Sequence, residues 1–205
     1  DVQYITAAAP GMPSLDVIYS SGTYADVLYT ANAPNRALVS SISYGESEGY
    51  ILGTDVKQAD ENFALAAYSM GTVFAATGDN GISNYRPRDG QPLGSPPNCI
   101  NSPSYPAMLT HVTAVGATML SDGTERPSSM MDSHNAVTTG GGFSCFVNRP
   151  PWQDSAATSY QNNDNYFYNK NNRADAIGDS STCSPSTFNK GGRGIPDVSA
   201  LGFEY

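Results

Sequence analysis

Residues Thr72 to Gly81 read Thr-Val-Phe-Ala-Ala-Thr-Gly-Asp-Asn-Gly, and no other stretch constrains the fold as tightly. From Thr72 to Thr77 the side chains are apolar, small or β-branched, with no polar alternation. Such a run predicts a strand buried on both faces, as in the interior of a parallel sheet. It stops at Gly78-Asp79-Asn80-Gly81, where glycine allows a sharp turn. Ligands of open α/β sheets bind beyond the carboxyl ends of the strands. Asp79 is therefore a candidate working residue. Asp-Asn-Gly is also ordinary turn chemistry, so the residue types alone leave both roles open.

The flanking sequence supplies a crossover. Thr54 to Met70 sets Val56, Ala59, Phe63, Ala66, Ala67 and Met70 on one helical stripe, with Thr54 as a suitable N-cap and Gly71 as the stop. Before it, Ala37 to Ser43 predicts a strand running into Tyr44-Gly45, a second strand end that could line a cleft. Strand, helix and strand in this order form a βαβ unit. Shorter strands are expected at Leu15–Tyr19, at Val112–Gly116 with an extension through Leu120, and at Ile195–Ala200. Asp1–Pro10 and Thr23–Asn32 read as helical. Asn84–Pro106 and Asp122–Asn189 lack persistent periodicity and read as loops. A loop as long as the second is expected to be functional or held by something. The whole chain, residues 1–205, reads as one α/β domain with a parallel sheet and helices on both faces.

Composition narrows the function. A net charge of −9 leaves no Lys/Arg field to displace phosphate counterions, which argues against a nucleic-acid partner. No apolar run reaches the length of a membrane span. Abundant Gly, Pro, Ser, Asn and Tyr with 14% charged residues suit a secreted protein. The first residue is Asp1 rather than Met, so processing or truncation is expected. Cys99, Cys145 and Cys183 allow at most one disulfide. Cys145 and Cys183 lie near the ends of the long loop, so a bridge between them is expected, with Cys99 free. The cysteine spacing and the lone His111 and His134 offer no metal site.

The search for a nucleophile is unrewarding. No Gly-x-Ser-x-Gly elbow occurs. Ser144 follows Gly140-Gly141-Gly142-Phe143, but no histidine can be placed beside it, and the glycine run reads as a flexible edge. His111 reads as the start of a strand and His134 as part of a loop, so a Ser-His-Asp triad is not expected. The acids at helix and strand ends, Asp1 and Asp79, are the better candidates.

A set of short motifs shares one order. They are Asp1-Val2-Gln3-Tyr4, Ala9-Pro10-Gly11, Ser41-Ile42-Ser43-Tyr44-Gly45, Thr77-Gly78-Asp79-Asn80-Gly81 and Tyr105-Pro106-Ala107, then 112–118, 140–144, 150–153 and 193–200. In sequence and order they resemble the sedolisins, the serine-carboxyl peptidases, with the fungal tripeptidyl-peptidase branch nearest. The resemblance implies a subtilisin-like three-layer α/β/α fold with a mostly parallel central sheet. It implies hydrolysis of peptide bonds by a Ser nucleophile, a Glu base, an Asp bonded to that Glu, and a second Asp in the oxyanion hole. Asp79 matches the oxyanion Asp. Asp1 matches the Asp one helical turn after the Glu, so that both carboxyls share a face. Ser43, Tyr44 and Gly45 match the segment that pairs with bound peptide.

Chemically, carboxyls in contact do not both ionise cheaply, so a proton is shared. A protonated Asp can donate to a developing oxyanion, which places the working range at acidic pH. The resemblance puts the Glu base before Asp1, and the Gly-Thr-Ser nucleophile and the calcium site beyond Tyr205. No cofactor is expected in this chain. Leu109 stands where fungal relatives carry a cysteine. The expected partners are peptide or protein substrates, together with companion fragments of one precursor. The expected location is extracellular, or an acidic vacuolar-lysosomal compartment. The other reading is a catalytically inactive sedolisin-like scaffold that binds peptides or a cell-surface partner.

Overall fold

The structure, a computed structural model, describes residues 2–18, 37–51, 53–82, 103–131, 136–162, 178–179 and 187–202. The expected helix at Thr23–Asn32 lies outside these residues. Of the strand expected at Leu15–Tyr19, the described residues 15–18 carry no regular structure. Helix α1 spans Val2–Ala8.

The run at Thr72–Thr77 does supply an interior strand of the central sheet, but it is not buried on both faces as expected: Val73 and Ala75 are buried while Thr72 and Ala76 are exposed, the alternation of a strand covered on one side. Strand β1 (Val39–Ile42) pairs parallel with β3 (Thr72–Ala76), β3 with β5 (Thr113–Ser121), and β5 with β13 (Val198–Leu201). Among the described strands of this sheet β6 (Thr124–Pro127) alone runs antiparallel, as a hairpin on β5. Asp122 and Gly123 make its turn at φ of 53° and 73°, the left-handed pair that a two-residue hairpin requires. The sheet is thus mostly parallel, as the α/β reading required.

Helix α2 (Gly53–Met70) makes the crossover from β1 to β3. Its apolar stripe faces the sheet, with Val56, Phe63 and Ala66 buried against a core that includes Val73, Ala75, Ala114 and Val147. Thr54 falls inside the helix rather than at its cap, and its hydroxyl meets Asp55 at 3.4 Å. Gly71 ends it at a φ of +99°, and a Cβ there would strike the Leu38 carbonyl.

The region read as one long loop is more structured than periodicity suggested. Besides β6 it holds β7 (Ser129–Met131), β8 (Ala136–Thr138), β9 (Gly142–Asn148) and helix α3 (Asp154–Gln161). The two-residue strands β10 (Gly178–Asp179) and β11 (Thr187–Phe188) pair in parallel, and β9 pairs antiparallel with β12 (Gly192–Ile195). The glycine run before Ser144 therefore leads into a paired strand, not a flexible edge. Short strands escape a periodicity test because a few residues cannot show a period. Ile195–Ala200, expected as one strand, is divided: β12 ends at Ile195, Pro196 and Asp197 turn the chain, and β13 starts at Val198. Two smaller strands, β2 (Glu46–Ser47) and β4 (Ser104–Tyr105), pair antiparallel beside the loop that leaves β1.

Candidate active site

Register decides which strand ends meet. Ile42 lies beside Ala75, so Ser43, Tyr44 and Gly45 leave the sheet alongside Ala76, Thr77 and Gly78. Ala76 lies beside Val115, and Leu201 beside Thr118. These pairings are all parallel, so β1, β3 and β13 direct their carboxyl ends to the same side of the sheet, and Asp79 follows the end of β3 there. One sheet edge carries the ends of β1, β3 and β13 together.

Asp79 is exposed at that edge, and its backbone is gripped from one side. The Thr138 amide donates to the Asp79 carbonyl at 2.7 Å, the Gly140 amide to Gly78 at 2.8 Å, and the Gly81 amide to Thr138 at 3.0 Å. Gly78 and Gly81 adopt φ of 92° and 64°, which glycine tolerates at little cost. Residues 138–141 can lie this close because Gly140 has no side chain, whose Cβ would overlap the Thr77 carbonyl. The result is a carboxylate presented to solvent on a braced loop.

Ser43, Tyr44 and Gly45 are also exposed, with Tyr44 at 84%. Gly45 runs against β4, where a Cβ would meet the Ser104 hydroxyl and the Tyr105 carbonyl. Asp1 lies outside the described residues, and so do His134, Cys99 and Cys183. His111 sits in the turn before β5, its Nδ1 4.0 Å from the Asp60 carboxylate. Cys145 is disulfide-bonded. Its expected partner, Cys183, is among the residues outside the description.

Residue-by-residue reading missed two buried polar assemblies, one just beyond the end of β1 and the other at the amino ends of β5 and β13. In the first, the Ser144 hydroxyl donates to Glu48 Oε2 at 2.6 Å and the Cys145 amide to Oε1 at 2.7 Å. Glu48 and Ser144 are both fully buried. Burial pushes the Glu48 carboxyl up from 4.5 to about 7, against the downward pull of those hydrogen bonds. The only hint in the sequence was an acid set among small residues, Gly45-Glu46-Ser47-Glu48-Gly49, with no periodicity to mark Glu48 as internal.

In the second, Arg193 is fully buried and its Nη2 donates to Asp197 Oδ2 at 2.7 Å. Its other N–H groups reach the Leu109 and Val112 carbonyls, and Asp197 also accepts from the Ala114 amide at 2.7 Å. Gln153 joins by accepting from Gly194 N–H at 3.0 Å and donating to its carbonyl at 2.7 Å. The Trp152 ring covers the guanidinium at 5.5 Å. This assembly fixes the corner between β12 and β13, and with it the height at which β13 starts beside β5.

A mostly parallel sheet with an acidic residue at the carboxyl end of a central strand is an α/β arrangement, and the likeness to a solved sedolisin makes it subtilisin-like. Within that class the chain is a homologue of the sedolisins, the serine-carboxyl peptidases, over nearly its whole length. It is 30% identical to aorsin of Aspergillus oryzae, across 98% of this chain and 32% of aorsin. Against tripeptidyl-peptidase 1 of Mus musculus identity is 27%, over 100% of this chain and 33% of the relative. A solved Pseudomonas sedolisin, a serine-carboxyl proteinase complexed with two molecules of pseudo-iodotyrostatin, matches with a TM-score of 0.55 and 26% identity. That match covers 88% of this chain and 42% of the solved one. No protein-family model matches the chain. The chain spans about a third of the length of these curated relatives.

Proposed function

We propose that this chain is the central part of an acid-acting serine-carboxyl peptidase, with Asp79 as the acid of its oxyanion hole. One observation carries the reading: Asp79 is exposed on a braced loop at the carboxyl end of β3, and β13 directs its carboxyl end to the same side of the sheet. A nucleophile on sequence following β13 would emerge at the same edge, one strand beyond β5. An oxyanion donor must stand within hydrogen-bond reach of the carbon that such a nucleophile attacks. A protonated Asp79 serves as that donor, which ties activity to acidic pH.

The remaining roles follow the resemblance. Ser43, Tyr44 and Gly45 present an exposed strand end to which an extended peptide adds by backbone hydrogen bonds. Asp1 orients the Glu base, and both the base and the Ser nucleophile come from flanking sequence. The substrates are peptides or proteins, and the working compartment is extracellular or acidic. No helix among the described residues is long and apolar enough to cross a membrane. Calcium, placed by the resemblance beyond Tyr205, is assigned no residue of this chain.

The test is turnover of peptides by a protein carrying this stretch together with both flanks, assayed at acidic pH with and without Asp79→Ala. Loss of turnover with retained folding supports the reading. Unchanged turnover in the variant rejects the role of Asp79. Peptide binding without any turnover by the flanked protein favours the inactive scaffold.

A further inference from the structure

Thr138 holds residue 80 from both sides. Its amide donates to the Asp79 carbonyl at 2.7 Å, and its carbonyl accepts from the Gly81 amide at 3.0 Å, the two bonds of a parallel bridge to Asn80. Asn80 is half-buried between these contacts, and Gly81 follows at a φ of +64°. Asn80-Gly81 is also the one Asn-Gly pair among the 205 residues. In that dipeptide the main-chain nitrogen after asparagine is unhindered, because glycine brings no side chain, and it can attack the asparagine amide. The Gly81 nitrogen bonds to Asn80 Cγ, the bond from Cγ to the side-chain nitrogen breaks, and ammonia leaves with the Gly81 proton. Water then opens the five-membered imide at one of its two carbonyls, giving aspartate or isoaspartate. No electrons change hands, and water is the only co-reactant.

Sequence and fold make opposite demands on one nitrogen. In a free chain the Gly81 nitrogen is the nucleophile. In the folded protein its N–H is spent on Thr138, which fixes both its proton and its orientation. We propose that Asn80 is a deamidation site withheld by the Thr138 clamp, converted only when residues 138–140 release the Asp79 loop. Gly140 governs that release: its amide donates to the Gly78 carbonyl at 2.8 Å, at an approach that leaves no room for a Cβ beside the Thr77 carbonyl. The conversion is one-way. Isoaspartate adds a methylene to the main chain between Asp79 and Gly81, so Thr138 no longer bonds on both sides of residue 80. A loop that has reacted does not close again in its original register. The consequence for catalysis rests on the role of Asp79 proposed above; the chemistry at Asn80 does not.

Local opening sets the rate. The closed loop does not react, so the native rate is the open-form rate scaled by the fraction of molecules open at residues 78–81. The same opening frees the Gly81 N–H to exchange with solvent. Deamidation of Asn80 and amide exchange at Gly81 therefore report one event. Asn62-Phe63 within α2 and Asn148-Arg149 at the end of β9 carry bulky following residues that hinder the attack, and they serve as internal controls.

The test incubates the purified chain in mildly alkaline buffer, native and in denaturing urea. Peptide mapping follows conversion of Asn80 to the acid, and enzymatic methylation counts isoaspartate. The denatured chain should convert at Asn80 well ahead of Asn62 and Asn148. The native chain should convert more slowly by on the order of tenfold or more, the protection that a closed loop gives. Gly140→Ala should move the native rate toward the denatured one. If that variant does not fold, the wild type in sub-denaturing urea replaces it, where conversion should rise in proportion to Gly81 amide exchange. Native conversion as fast as denatured overturns the clamp, and a denatured chain that leaves Asn80 intact overturns the site. Conversion that tracks global unfolding rather than Gly81 exchange overturns the assignment to this loop. The catalytic consequence is read in a protein with both flanks, where turnover should fall with the isoaspartate fraction in the wild type and hold steady over the same incubation in Asn80→Gln. Turnover that ignores conversion while Asp79→Ala abolishes it overturns the coupling of Asn80 to the site. Turnover that ignores Asp79→Ala overturns the reading of Asp79 instead, and the deamidation rates are judged on their own.

Discussion

Ser144 Oγ stands 2.6 Å from Glu48 Oε2 and joins positions 96 residues apart in the chain. The bond closes a circuit: strand end after β1, Glu48, Ser144, the glycine run, and back to the loop that carries Asp79. A sheet edge built from separate strand ends has no intrinsic rigidity in its loops. Here a buried polar bond and a close glycine contact supply it.

Asp79→Ala, in a protein with both flanks, should lose about 2.7–4 kcal/mol of transition-state stabilisation, as removal of one oxyanion donor does. Asp79→Asn should retain more activity than Ala and extend the profile toward neutral pH, because an amide donates without a bound proton. The measurement is kcat/KM against pH for the three proteins. An Ala variant with full turnover and only a lowered Tm would reduce Asp79 to a turn residue.

Gly140→Ala should disturb the Asp79 loop directly, since the added Cβ would overlap the Thr77 carbonyl. Overpacking of this kind costs about 1–3 kcal/mol. Amide exchange should show the loss concentrated at residues 77–81 and 138–141. A uniform loss across the sheet would contradict the local account.

Asp197→Ala should be far more damaging than its partial exposure suggests. It leaves the fully buried Arg193 guanidinium without its carboxylate, and such unpaired burial costs about 3–5 kcal/mol. Replacing Arg193 as well, by Met, should recover part of that loss. A double variant no more stable than Asp197→Ala would show that the pair does not act as a unit.

Phe63→Ala should cost about 3–5 kcal/mol, because the ring is 2% exposed and fills the contact between α2 and the sheet. Leu65→Ala on the same helix, 66% exposed, should stay within about 0.5 kcal/mol. Urea midpoints with unchanged slopes would report both.

Peptide mapping without reduction should find Cys145 linked to Cys183 and leave Cys99 as the free thiol. A disulfide closing a loop of that size adds on the order of 3–4 kcal/mol in the chain-entropy model. A Cys99–Cys145 bridge would refute the pairing while keeping Cys145 in a disulfide, as the structure has it.

The parts of this protein that could be read from the chain are those whose information is local. The unbroken apolar run of Thr72–Thr77 announced an interior parallel strand, and the stripe from Val56 to Ala66 announced the helix covering it, because each pattern repeats within a few residues. The glycine-flanked Asp79 followed, since a strand end is where such a residue must fall. Short β7 and β8 lie below the length at which alternation can be recognised, and the Asp122-Gly123 turn pair sits in a stretch too rich in loop residues to stand out. Tertiary structure alone decided the rest. Nothing near Glu48 in sequence says that it is buried: its environment comes from Ser144 and Cys145, far along the chain. Arg193 and Asp197 are close in sequence, but their desolvation depends on Leu109, Val112 and Ala114. That β1, β3 and β13 end on one side of the sheet depends on parallel pairings between segments far apart in the chain. Strand and helix are chosen by local sterics and hydrophobic period, whereas a perturbed carboxyl or a shared site edge is made by whatever the fold brings to it.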